Sequence, residues 1–238
     1  MPTQSFEIFD SVDAWVFDLD NTLYPASCGL FNQVSQRMTA YISEYFSLER
    51  DAAIERQRDL FMRYGTTLRG LMVEHGVDPE PFLDHVHRVD FALVRPDPLL
   101  ALKLGMLPGR KLIFTNSSRR HAEQVMARLG ITDHIEEVFD IADADFIPKP
   151  DSACYAALLS RHRVSAATAC MIDDIAFNLP PAKSLGMTTV WLKGEGDWAR
   201  TDPDPAILDG VDCVAGNLVH WLDELLLHLD TAPGAGRG

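Results

Sequence analysis

The chain is short of positive charge. Its 238 residues carry 21 Lys and Arg against 35 Asp and Glu, a formal net charge of −14. A nucleic-acid surface needs clustered cations to displace counterions, so no nucleic-acid polymer is expected as a partner. Cysteine is scarce as well: Cys28, Cys154, Cys170 and Cys213 are scattered, with no C-x-x-C pair. That spacing argues for reduced thiols rather than a disulfide framework. No apolar run reaches the roughly 18–20 residues that span a bilayer. The opening MPTQSFEIFD has neither a basic nor an apolar region of the kind a secretory leader carries. The expectation is a soluble, cytoplasmic protein with no membrane partner, as monomer or homodimer. Internal repeats are absent, and the Gly- and Pro-rich close, TAPGAGRG, predicts a disordered tail over 231–238.

What is present is a change of period along the chain. Ala14 to Phe17 is a short apolar run ended by acidic residues, which reads as a buried strand. From about Gly29, Phe31, Val34, Met38, Tyr41, Ile42 and Tyr45 recur at helical spacing. Further helical patterns follow over 48–64 and 67–75, the latter stopped by Gly76, and a fourth opens at Asp78-Pro79. After residue 96 strands and helices alternate: strands at 111–115, 138–141, 169–172 and 188–192, with helices at 117–129, 152–162, 176–185 and 217–229. Such alternation implies right-handed crossovers and a mostly parallel sheet. Some seventy residues of helix between the first two strands is far more than a loop needs. The predicted organisation is a discontinuous α/β core, residues 1–24 and 96–230, with an all-helical cap over 25–95. An insertion at the carboxyl end of a strand lies where open α/β sheets bind ligands.

Polar signals collect at those strand ends. Asp18, Asp20 and Thr22 follow the first strand; Thr115, Asn116 and Ser117 follow the second; Lys149 precedes a helix; Asp173, Asp174 and Asn178 follow the strand at 169–172. Taken singly, each is explained by turns and helix caps. Their conjunction fits phosphoryl transfer through an aspartyl intermediate. A carboxylate can attack phosphorus and split one difficult displacement into two. Because carboxylate and phosphate repel, the site needs positive charge. Gathered aspartates bind Mg²⁺, and Lys149 adds a further cation. The Thr115 hydroxyl and the amides of the following helix suit phosphate oxygens. Two residues past the nucleophile, a second carboxylate projects on the same side of an extended chain, where it can exchange protons.

The segments FDLDNT, FTN, IPKP and MIDDIAFN resemble, in order, the four motifs of the haloacid dehalogenase-like hydrolases, over nearly the whole chain. The resemblance implies an α/β fold with a Rossmann-like three-layer core and an all-helical cap inserted after the first strand. It also implies Asp18 as nucleophile and metal ligand, and Asp20 as general acid/base, touching metal through its carbonyl. Thr115, with Asn116, would bind phosphate; Lys149 would steady nucleophile and phosphate; Asp174 would complete the Mg²⁺ ligands. Asp173 would assist through metal-bound water, with Asn178 standing where the family usually has a second acid. FDLDNTLYP, IFTNSSRRHAEQVMARLGI and DADFIPKP look most like the pyrimidine 5′-nucleotidase group, which implies a nucleoside monophosphate such as UMP or CMP as substrate.

Rival readings keep the same fold. A 2-haloacid dehalogenase needs the nucleophile but no metal, and that branch lacks the equivalent of Asp20. Another phosphatase or a phosphomutase acting on a sugar phosphate or phosphoserine retains the whole set, and a silent binding protein has no use for it. His75, His85 and His87 are expected to be surface or core residues, and Arg119 and Arg120 solvated. Arg37, Tyr24 and Asn21 are weaker candidates for substrate contact, and Cys28 is expected to be an ordinary thiol.

Overall fold

A computed structural model describes residues 6–194 and 204–231. Six strands, β1 (Ala14–Phe17), β2 (Arg110–Phe114), β3 (Glu137–Phe139), β4 (Ala169–Asp173), β5 (Thr188–Leu192) and β6 (Cys213–Ala215), form one sheet in the order β3-β2-β1-β4-β5-β6. Every pairing is parallel. The chain runs outward from β1 to β3, then returns to β1's other side with β4. Strand order therefore reverses beside β1, the point at which a crevice opens at the carboxyl ends.

Both faces of the sheet are covered, which explains why the central strands read as apolar runs. Trp15, Phe17, Ile113, Cys170 and Ile172 pack on one side with α5 (Pro98–Met106), α6 (Arg119–Leu129) and α10 (Leu218–Thr231). Ala14, Val16, Leu112, Phe114 and Met171 pack on the other with α7 (Ser152–His162) and α8 (Leu179–Ser184). Between β1 and β2 lie α1 (Leu30–Phe46), α2 (Arg50–Tyr64), α3 (Thr67–His75) and α4 (Pro79–Val86). These helices bury a cluster of their own, including Val34, Ile42, Leu60, Leu71, Phe82 and Val86. Arg37 donates to the His85 carbonyl at 2.6 Å and so ties α1 to α4 rather than standing free.

Three elements differ from the sequence reading. α5 opens at Asp97-Pro98, the same cap-and-proline start that marks α4, and the Asp97 side chain accepts from Leu100 N–H. Strand β6 and the one-turn α9 (Pro205–Leu208) are too short for a periodic signal. Of the expected tail, Thr231 ends α10 and the remainder lies outside the described residues. No helix among the described residues is long and apolar enough to cross a membrane.

Gly109, at φ 84°, brings β2 against the start of β1, where Arg110 N–H donates to the Asp13 carbonyl at 2.8 Å. A Cβ at Gly109 would run into that Asp13 backbone. Gly109→Ala is therefore expected to lower stability by about 2–4 kcal/mol, from left-handed strain plus the clash. An unchanged urea midpoint would contradict this.

Candidate active site

The register of the central pair builds the site. Phe17 pairs with Ile172, and Asp18 N–H donates to the Ile172 carbonyl at 2.8 Å, so Asp18 and Asp173 leave the sheet side by side. Lys149 arrives from the loop after β3 and is 1% exposed. Its ammonium donates to Asp18 Oδ1 and Asp173 Oδ2, both at 2.7 Å, and to the Phe114 carbonyl at 3.0 Å. Burial disfavours a charged lysine, yet Asp173 and Asp18 outweigh it and raise Lys149 above its ordinary value.

Asn116 holds that lysine by its backbone. Its Oδ1 accepts from Lys149 N–H at 2.9 Å and its Nδ2 donates to the Lys149 carbonyl at 3.3 Å. The Thr115 hydroxyl is buried and accepts from Ser117 N–H at 3.0 Å. Asp173 is fully buried: Asn178 Nδ2 donates to both its carboxylate oxygens at 3.0 Å, and Ile175 N–H adds a third donor. Asp174 keeps its carboxylate for the cleft, while its N–H donates to Thr22 Oγ1 at 3.1 Å.

Asp18, Asp173 and Asp174 each offer an oxygen within 4.8 Å of the others. Against those three carboxylates stands the single ammonium of Lys149, which leaves two negative charges when all are ionised. Burial pushes Asp18 up to about 7 even though Lys149 pulls it down, with Asp173 and Asp20 adding repulsion. Asp174 is raised well above its ordinary value by burial, then by Asp18 and Asp173. Hard oxygen donors short of two positive charges suit a divalent cation such as Mg²⁺.

Asp20 stands apart from that cluster. Tyr24 Oη donates to its Oδ1 at 2.5 Å, Ser117 Oγ to its Oδ2 at 2.6 Å, and His121 Nε2 meets Oδ1 at 2.8 Å. Burial alone would raise Asp20, but His121, Ser117 and Tyr24 together hold it below the ordinary carboxylate range. Two aspartates one residue apart thus occupy opposite electrostatic settings. Tyr24, a weak candidate for substrate contact, is a buried donor to Asp20 instead. Asn21 adopts φ 62° in the same turn, with Oδ1 buried and unpartnered.

Sequence reasoning missed His121 and the Ser117 hydroxyl. The signal was a histidine at a buried position of an amphipathic helix, in register with Val125 and Leu129. His87, expected in a bland setting, stacks on His121 at 4.4 Å, and its Nδ1 lies 2.9 Å from Ser118 Oγ. Arg119 is not simply solvated: it bridges Glu137 at 2.6 Å and Asp143 at 2.8 Å. Cys28 gains no activation, since burial raises its thiol. The inserted helices reach the site at Gly65, where an added Cβ would lie 3.1 Å from the Lys149 carbonyl oxygen.

Comparison with known proteins agrees with this architecture. The Saccharomyces cerevisiae protein "Phosphate metabolism protein 8" is 29% identical over 189 residues, covering 72% of this chain and 58% of that relative. The chain thus spans somewhat more than half the length of the curated relative it matches. Among solved structures, L-2-haloacid dehalogenase from Xanthobacter autotrophicus has a TM-score of 0.55 at 17% identity, covering 93% of this chain and 100% of its own. A HAD phosphatase from Thermococcus onnurineus reaches 0.58 at 19% identity, over 90% of this chain and 98% of that one. The Bacillus subtilis HAD-hydrolase YfnB bound to magnesium reaches 0.57 at 14% identity, over 92% and 99% respectively. At these identities the solved structures speak to the fold alone. The family model of haloacid dehalogenase-like hydrolases matches residues 12–186, most of the chain, and the protein belongs to that hydrolase family.

Proposed function

We propose that the protein is a Mg²⁺-dependent phosphomonoester hydrolase working through an aspartyl-phosphate on Asp18. Nucleoside monophosphates, UMP and CMP first, are the proposed substrates; that choice rests on the motif resemblance. The observation that carries the reaction class is Asp20, a second carboxylate beside the nucleophile with hydrogen bonds of its own, outside the Asp18–Asp173–Asp174 cluster. A dehalogenase has no task for such a group as an acid in its first step, because halide leaves without a proton.

In the first step an Asp18 oxygen attacks phosphorus and the bond to the leaving oxygen breaks. Asp20, which must enter this step protonated although His121, Ser117 and Tyr24 favour its ionised form, gives that oxygen a proton. In the second, water attacks the phosphorus of the phospho-aspartate, Asp20 takes the water's proton, and phosphate departs from Asp18. The proton given in one step is thereby recovered in the other. Lys149 orients Asp18 through its 2.7 Å contact and supplies positive charge to the transferring group. The Thr115 hydroxyl and the amides opening α6 would receive phosphate oxygens, with Asn116 keeping Lys149 in position. Asp18 and Asp174, with the Asp20 carbonyl, would hold Mg²⁺, and Asp173 would support them. The ion's chemistry there is to neutralise charge on carboxylates and phosphate. The inserted helices act as a cap that excludes water while phosphorus is transferred and opens for product release.

Phosphate release from UMP and CMP is expected with Mg²⁺, to be abolished by EDTA and restored by added metal. Asp18→Asn is expected to lose at least about 1,000-fold in kcat, and Asp20→Ala about 100-fold or more. Asp20→Ala should still bind metal, since its carbonyl survives. Preference for a sugar phosphate in a substrate panel would replace the nucleotide assignment, and metal-free dechlorination of chloroacetate would favour the dehalogenase reading.

The raised carboxyls make a second prediction. Asp18 titrates at about 7 in the fold against an ordinary 3.8, and Asp174 is shifted the same way. These two carboxyls therefore hold more protons in the fold than in the unfolded chain between those values, and their contribution to stability in EDTA falls as pH rises through that window. The lowered His85, His87 and His162 act in the opposite direction below their ordinary 6.5. Mg²⁺ binds the ionised carboxyls, so the rise in Tm that it produces should be larger near about pH 8 than near about pH 5.5. Thermal melts with and without Mg²⁺ at both pH values check this; an equal shift at each would contradict it.

A further inference from the structure

His121 is 1% exposed, and its ring makes one polar side-chain contact, Nε2 to Asp20 Oδ1 at 2.8 Å. Its Nδ1 is buried with no partner. A histidine kept only for packing would satisfy both nitrogens or be replaced by an apolar ring, because an unpaired buried polar atom costs about 1–3 kcal/mol. Since an ionised carboxylate only accepts, Nε2 must carry the hydrogen and donate. The ring is clamped from the inserted helices: His87, immediately after α4, stacks on it at 4.4 Å, and Phe91 packs against it at 5.5 Å. His87 in turn lies 2.9 Å from Ser118, the N-cap of the helix that carries His121.

We propose that His121 is a positioning residue for Asp20: its Nε2–H holds the carboxylate aimed at the leaving oxygen, and His87 fixes the ring that does so. Tyr24 and Ser117 complete the cage, but both sit on the two loops that already border the reacting centre. His121 alone ties Asp20 to a rigid helix and, through His87, to the inserted helices. Their seating thereby sets the geometry of proton exchange. The proposal rests on the phosphatase reading above and assigns a residue outside all four motifs to it.

Leaving-group dependence separates positioning from packing. From UMP the uridine 5′-oxygen leaves as an alkoxide that needs its proton during bond cleavage, whereas p-nitrophenyl phosphate releases a stable phenolate that does not. His121→Phe keeps the ring and its stack but removes the donor. Its kcat/KM, which reports the first chemical step, is expected to fall about 30–100-fold for UMP and less than about threefold for p-nitrophenyl phosphate. His121→Gln, which places an N–H near the Nε2 position, should recover at least about a third of the UMP activity. In an Asp20→Asn background, His121→Phe should cost nothing further. Equal losses on both esters, no recovery with Gln, or an additive loss in the Asp20→Asn background would overturn the positioning role. Wild-type activity on both esters tests the phosphatase reading separately: if neither is hydrolysed, that reading and this proposal fall together, and if both are, the variants decide the proposal alone.

Discussion

A buried ammonium between two buried carboxylates is the interaction on which the rest of the site depends. Lys149 is sequestered from water and meets Asp18 and Asp173 at equal distance. Removing either partner would strand charge in a poorly polarisable interior, where an unpaired ion costs several kcal/mol. The requirement links three parts of the chain. β1 and β4 must be adjacent and in register so that their carboxylates emerge together, and the loop after β3 must cross above β2 to deliver the lysine. Asn116 enforces that crossing by pairing with both backbone groups of Lys149.

From that arrangement comes the contrast between the two aspartates of the first turn. Asp18 faces a lysine but also two further carboxylates, and burial dominates, so its proton is held more tightly than usual. Asp20 is just as enclosed, yet donors from Tyr24, Ser117 and His121 reverse the outcome. Two neighbouring carboxyls are thus driven apart in proton affinity by their surroundings: Asp20 is held ionised, and Asp18 needs positive charge beyond Lys149 to become so near neutral pH. The contrast is produced by hydrogen-bond partners and neighbouring charges, since residue type and burial are alike for both.

Much of this was legible before any coordinates. The helical insertion announced itself by a change of period, and the α/β core by alternation with glycine stops and Asp-Pro openings. Asp18, Thr115, Lys149 and Asp173–Asp174 stood out because each falls at or near a strand's carboxyl end. Other features escaped for identifiable reasons. β6 has three residues, and one strand turn of alternation cannot be told from a loop. His121 looked like one more member of an amphipathic stripe, because period reports that a side chain is buried and not what it meets. Arg119 looked solvated at a helix start, but Glu137 and Asp143 come from elements that no local pattern places beside it.

By itself, then, the sequence determined the class of fold, the position of the insertion and the residue types available for chemistry. Those follow from periodicity, backbone chemistry and covalent spacing, which are local. Tertiary structure alone decided that Asp173 anchors Lys149 at its far side, that Asn116 grips a backbone, and that His121 and Tyr24 converge on Asp20. Such pairings join residues up to 101 positions apart. They depend on strand order and loop path, and on which buried polar atoms are left to satisfy one another once the two faces of the sheet have closed.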